Sequence, residues 1–199
     1  MRGRAVAVAA IGLLWGCAHG AGAQAGAAAP AEAAPEGLAR RSLPEGAVVR
    51  IEGQRYIDPR MGFEISRPAG DWFFAPGQPV AQGIAVPVIV AHPASGAQVV
   101  VQVAPPVATP TQFAERLTFG LRTKPGFATG TPAPLEGTED GVGFPFSMGD
   151  AVRGRVAIVP GNGHVFVLLA TWPAQATPAV IAGVDRILHS LKVTRAIAE

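Results

Sequence analysis

Two stretches of this chain repeat apolar residues at helical spacing, and nearly everything between them is short β-branched runs broken by Gly and Pro. That combination constrains the fold more than any other feature. Thr109 can cap a helix, Pro110 suits its first position, and Gln112 completes a capping box with Thr109. Phe113, Leu117 and Leu121 then recur at intervals of four until Pro125-Gly126 stops the helix. A second helix is predicted from Thr177 and Pro178 to about Lys192, with Val180, Ile181, Val184, Ile187, Leu188 and Leu191 as its apolar stripe.

The strands read as hairpins. Gln54 to Asp58 meets the turn Pro59-Arg60-Met61-Gly62 and continues as Phe63-Glu64-Ile65. The loop Arg67-Pro68-Ala69-Gly70-Asp71 delivers Trp72, whose ring is expected to plug one end of the core. Ile84 to Ala91 and Ala97 to Val103 flank Pro93-Ala94-Ser95-Gly96, and Pro87 within the first run implies an edge position or a bulge. Gly141 to Met148, Ala151 to Val159 and Val165 to Thr171 follow, the last two joined by Pro160-Gly161-Asn162-Gly163. Amphipathic helices need an apolar surface to cover, so the expected architecture is α+β: an antiparallel sheet covered by helices in an α/β/α sandwich.

This domain is expected over residues 51–199. Ahead of it, Arg2 and Arg4 precede the apolar run Ala5 to Trp15, with small residues onward to Ala23: the order of an export signal. The run is shorter than the roughly 20 residues a membrane-spanning helix needs. Two cuts compete. Leu14-Trp15-Gly16-Cys17 resembles a bacterial lipobox, which would make residues 1–16 the signal and place a lipid on Cys17; Trp15 departs from the usual small residue there. Ala21-Gly22-Ala23 would instead end a signal of residues 1–23 and discard Cys17. Because Cys17 is the one cysteine, the fold rests on packing without a disulfide within the chain. Residues 24–50, rich in Ala, Gly and Pro, read as a flexible linker.

Of 16 Lys and Arg residues, two lie in the signal, which leaves 14 against 14 Asp and Glu. A mature chain of balanced charge argues against nucleic acid as a partner, and leaves a lipid on Cys17 as the only expected membrane contact.

The residues Tyr56-Ile57-Asp58, Gly62-Phe63-Glu64-Ile65 and Pro68-Ala69-Gly70-Asp71-Trp72 resemble the opening of PsbP-like and DcrB-like domains, where a short hairpin leads to a Pro-x-x-x-Trp or Pro-x-x-Trp turn. The order of elements afterwards is similar too, over roughly residues 54 to 193. That family includes an extrinsic photosystem II subunit, bacterial envelope lipoproteins, Ran-binding nuclear proteins and chaperones for secreted toxins. The resemblance implies a binding or accessory module with no shared catalytic residues, and fold analogy does not choose among those roles.

Catalytic hardware is sparse. His92, His164 and His189 form no metal-binding motif, so no metal or cofactor is expected. Ser147 has Pro145 where a nucleophile elbow needs glycine. Glu136, Glu139 and Asp140 lack the alternation of a calcium loop and read as a solvated turn. No catalytic residue is assigned. The expected role is a non-catalytic exported module of the cell envelope, in the periplasm or anchored at the outer membrane, with another envelope protein as partner. The alternatives are an envelope hydrolase with an unrecognised site and a permanent part of an envelope assembly. Binding energy usually concentrates in aromatic and Arg anchors, which nominates Phe144, Phe146, Arg153 and Arg155, and after them Arg60 and Arg67.

Overall fold

The computed structural model describes residues 48–77 and 84–194. The export signal, Cys17 and the linker up to residue 47 lie outside the described residues. Regular structure begins with β1 (Arg50–Glu52), β2 (Arg55–Asp58), β3 (Phe63–Ser66), β4 (Phe73–Pro76), β5 (Ala85–His92) and β6 (Ala97–Ala104). Helix α1 (Pro110–Arg122) leads to β7 (Phe127–Thr129), β8 (Ala133–Pro134), β9 (Val142–Met148), β10 (Val152–Gly161) and β11 (His164–Pro173). Helix α2 (Pro178–His189) and β12 (Lys192–Val193) close the described chain.

The larger sheet is antiparallel, in the order β4-β5-β6-β11-β10-β9-β7, with β8 paired to β9. Both its faces are buried. Val165, Val167 and Leu169 of β11 join Phe144, Phe146, Val156 and Ile158 beneath Phe113, Ala114 and Leu121 of α1. Phe166, Leu168, Ala170 and Trp172 point the other way, toward Val184, Ile187 and Leu188 of α2. The unbroken apolar run of β11 follows from this, because a central strand covered on both faces has no side turned to water. The α/β/α sandwich expected from the sequence is the observed arrangement.

A second, four-stranded sheet, β1-β2-β3-β12, was not expected. Its Tyr56, Phe63 and Ile65 pack into the same core as α2. Two boundaries shift as a result. Strand β1 begins at Arg50, the last residue of the expected linker. Helix α2 ends at His189 rather than near Lys192, because Ser190 diverts the chain: its Oγ accepts the Ser66 N–H at 2.9 Å and faces the carbonyls of Ile187 and Ser66 at 2.8 and 3.1 Å. The next residues extend and pair with β3.

Local chemistry accounts for the other junctions. Thr109 and Gln112 form the capping box, each side chain bonded to the other's backbone N–H at 3.2 Å. Thr177 caps α2 by backbone conformation alone, without a side-chain bond. Asn162 and Gly163, at φ 50° and 71°, make the two-residue turn between β10 and β11. Pro87 marks a bulge, where the β5–β6 register shifts between Ala85 and Val88. Its carbonyl accepts from Gly77 N and from the Tyr56 hydroxyl, both at 3.3 Å.

Tyr56 is the only tyrosine in the chain. Its hydroxyl is pushed up to about 12, chiefly by burial and further by Asp58, with Arg60 opposing. Folding therefore favours the protonated phenol. The contribution is complete below pH 10 and is lost as pH rises from 10 toward 12. We expect the unfolding free energy to fall by about 2–3 kcal/mol across that window, and by much less in Tyr56→Phe. Tyrosinate absorbance, which reports this one ring, should show its midpoint near 12 in the folded protein. A midpoint at the free value of 10 would refute the assignment.

Candidate binding surface

The nominated aromatics are not on the surface. Phe144 and Phe146 are 3% and 8% exposed, on the face of β9 that α1 covers, and Phe146 stacks with Phe127 at 6.4 Å between ring centroids. They are core residues, which corrects their nomination as anchors. The helix covering them lies some twenty residues earlier in the chain.

The arginines are nearer the surface, and the side chains of three of them are engaged. Arg153 donates to the carbonyls of Gly149 and Val152 at 2.9 and 3.2 Å. Arg155 is paired with Asp185 of α2, which ties the helix to the sheet. Arg67 donates to the Trp72 carbonyl at 2.7 Å and lies 5.8 Å above the Phe74 ring, so it holds the loop before β4. Arg60 is exposed at the β2–β3 turn, where Asp58 Oδ1 accepts the backbone N–H groups of Arg60 and Met61.

The polar residues weighed for catalysis are dispersed. His92 shares a hydrogen bond with Ser95 at 2.9 Å in the β5–β6 turn, and its ring lies 5.1 Å from that of Trp72. His164 opens β11, and His189 Nδ1 donates to the Asp185 carbonyl at 2.7 Å. Ser147 stands on β9 opposite Arg153. Glu136, Glu139 and Asp140 are exposed in the loop between β8 and β9. Among the described residues no three His, Cys, Asp or Glu side chains come together as a metal site would require.

Sequence reading missed Phe119. This ring is 73% exposed, the most exposed of the large apolar side chains among the described residues. At roughly 100° per residue, it falls nearly opposite the stripe Phe113, Leu117 and Leu121. Glu115 and Arg116 flank it at i−4 and i−3. The signal was present in the sequence: Phe119 stands two residues from Leu121, outside the interval of four that defines the buried face.

No family model matches this chain, and no curated protein does. Among solved structures, it is similar to the solution structure of cyanobacterial PsbP (CyanoP) from Synechocystis sp. PCC 6803. That likeness covers 78% of this chain and 98% of the other, at 14% identity and a TM-score of 0.47. LpqN, involved in cell envelope biogenesis of Mycobacterium tuberculosis, is similar over 66% of this chain and 83% of its own, at 17% identity and TM-score 0.41. A crystal structure from Bacteroides thetaiotaomicron is similar over 72% and 49%, at 13% identity and TM-score 0.39.

Proposed function

We propose that this protein is a non-catalytic accessory module of the cell envelope that acts by binding another envelope protein through the outer face of α1. The observation that carries this reading is Phe119. A large aromatic ring turned to water is unfavourable for the isolated protein, and aromatic and Arg side chains supply most binding hot spots. Arg116 beside it offers a charged neighbour for a partner's rim. Supporting the reading, the polar groups nearest to chemistry serve the scaffold: His92 braces a turn, His189 bonds to its own helix, and Arg155 anchors α2. The order of Arg2, Arg4 and the apolar run to Trp15 supports export, and the acylation of Cys17 would fix the protein to a membrane.

Affinity purification from solubilised envelopes, with quantitative mass spectrometry, tests the proposal. A partner captured by the parent protein should be recovered about tenfold less by Phe119→Ala. The variant's unfolding free energy should stay within about 0.5 kcal/mol of the parent's, because the ring is exposed. Equal recovery by both proteins would exclude α1 as the binding face.

A further inference from the structure

We propose that β1 pairs antiparallel with β1 of a second copy of this chain, with Ile51 at the two-fold axis. Three observations point to the same strand. First, among the described residues β1 is an edge of the small sheet, paired only with β2 through Arg50↔Ile57, Ile51↔Tyr56 and Glu52↔Arg55. Second, three of the eight exposed large apolar side chains among the described residues are Val48, Val49 and Ile51, with Ile51 60% exposed. Third, the strand reads Arg50-Ile51-Glu52, which is complementary to its own inverted copy.

The hydrogen-bond geometry fits that register. Gly53 and Gln54 form a two-residue turn, with Gly53 at φ 60°, so Glu52 and Arg55 are the pair that exchanges backbone bonds at the turn. Bonding alternates along an antiparallel strand, so Arg50 also points its backbone groups at β2 while Ile51 points its N–H and C=O outward. Ile51 can therefore exchange both bonds with Ile51 of the second copy. The flanking pairs, Arg50 with the other copy's Glu52 and the reverse, then fall at the non-hydrogen-bonded positions, where side chains approach most closely.

A short, charged edge usually keeps sheets apart. Here the charges are opposite in sign and two residues apart, so two copies attract where a strand of uniform charge would repel. Within one chain Glu52 already contacts Arg50 at 3.8 Å and Arg55 at 2.7 Å, all exposed, so these side chains stand on the side of the sheet from which a second copy's partners approach.

So short a strand buries little area, and the dimer should be weak. Sedimentation equilibrium of the purified protein, from about 10 µM to 1 mM, should show reversible dimerisation. Arg50→Glu and Glu52→Arg should each weaken it about tenfold, since each sets like charges opposite one another twice. The double variant restores opposite charges at both positions and should recover the parent constant to within about threefold. Glu52→Arg removes the contact to Arg55 in both the single and the double variant, so the loss of that contact does not enter the comparison of those two. Ile51→Pro, which removes the outward-facing N–H together with the exposed side chain but no backbone bond to β2, should abolish dimerisation with the unfolding midpoint retained; if that variant fails to fold, the charge exchange decides alone. A monomer at every concentration, or a dimer that ignores the charge variants, overturns the proposal.

Discussion

Trp72→Ala should lower the unfolding free energy by about 3–5 kcal/mol. The indole is 6% exposed and lies on α2 where Gly183 leaves room for it: a Cβ at Gly183 would stand 2.9 Å from Trp72 Cζ2 and 3.1 Å from Nε1. Removing the ring leaves a space that the glycine has no side chain to fill. The backbone around it is also held, since Arg67 donates to the Trp72 carbonyl, so the loop is poorly placed to collapse inward. Urea titration at unchanged slope measures the loss directly. The same contact predicts strong non-additivity. Gly183→Ala should destabilise the parent by about 1–3 kcal/mol through overpacking, yet be close to neutral in the Trp72→Ala background. Additive effects would show that ring and helix are not in contact.

Phe166→Ala should have an effect of the same size, about 3–5 kcal/mol. Phe166 is fully buried on β11, and its ring lies 5.5 Å from that of Phe63 on the small sheet. Strand β11 is held by β6 on one side and β10 on the other along most of its length, so the backbone cannot move to close the gap. Against a typical domain stability of about 5–15 kcal/mol, that loss brings the protein close to unfolding. A melting temperature lowered by about 10 °C or more is the expected reading. A shift of only one or two degrees would mean that the two sheets do not share this core.

These residues show how much of the fold was legible. Hairpins announced themselves because alternation and turn chemistry are local: Pro59 to Gly62, Pro93 to Gly96 and Asn162-Gly163 stand where the turns were expected. Helix α1 was equally plain, since Thr109, Pro110 and Gln112 carry its start within four residues. The far end of α2 was misread because Leu191 continues the helical stripe, while the bond that ends the helix comes from Ser66, more than a hundred residues away. Strands β1 and β12 are too short to show a period. The surroundings of the nominated binding residues were hidden for the same reason. Burial of Phe144 and Phe146 depends on α1, which no window around them contains. Arg155 looked available because its partner Asp185 is thirty residues distant. Phe119, by contrast, could be read from helical spacing alone.

The pairing of β12 with β3 bears on the order in which the protein can be made. Val193 meets Phe63 and Lys192 meets Glu64, while Thr194 N donates to the Gly62 carbonyl at 2.8 Å. Asn162, in the turn between β10 and β11, reaches carbonyls at both Gly62 and Thr194. A ribosome releases Phe63 long before Val193, so the small sheet stays incomplete until the last residues of the domain have been synthesised. Contacts so distant in sequence also close slowly, because the loop entropy must be met before they form. An N-terminal fragment therefore has no finished state to settle into. Were the chain exported as proposed, that delay would keep the polypeptide extended and threadable through a narrow channel, and leave the locking step to the far side of the membrane.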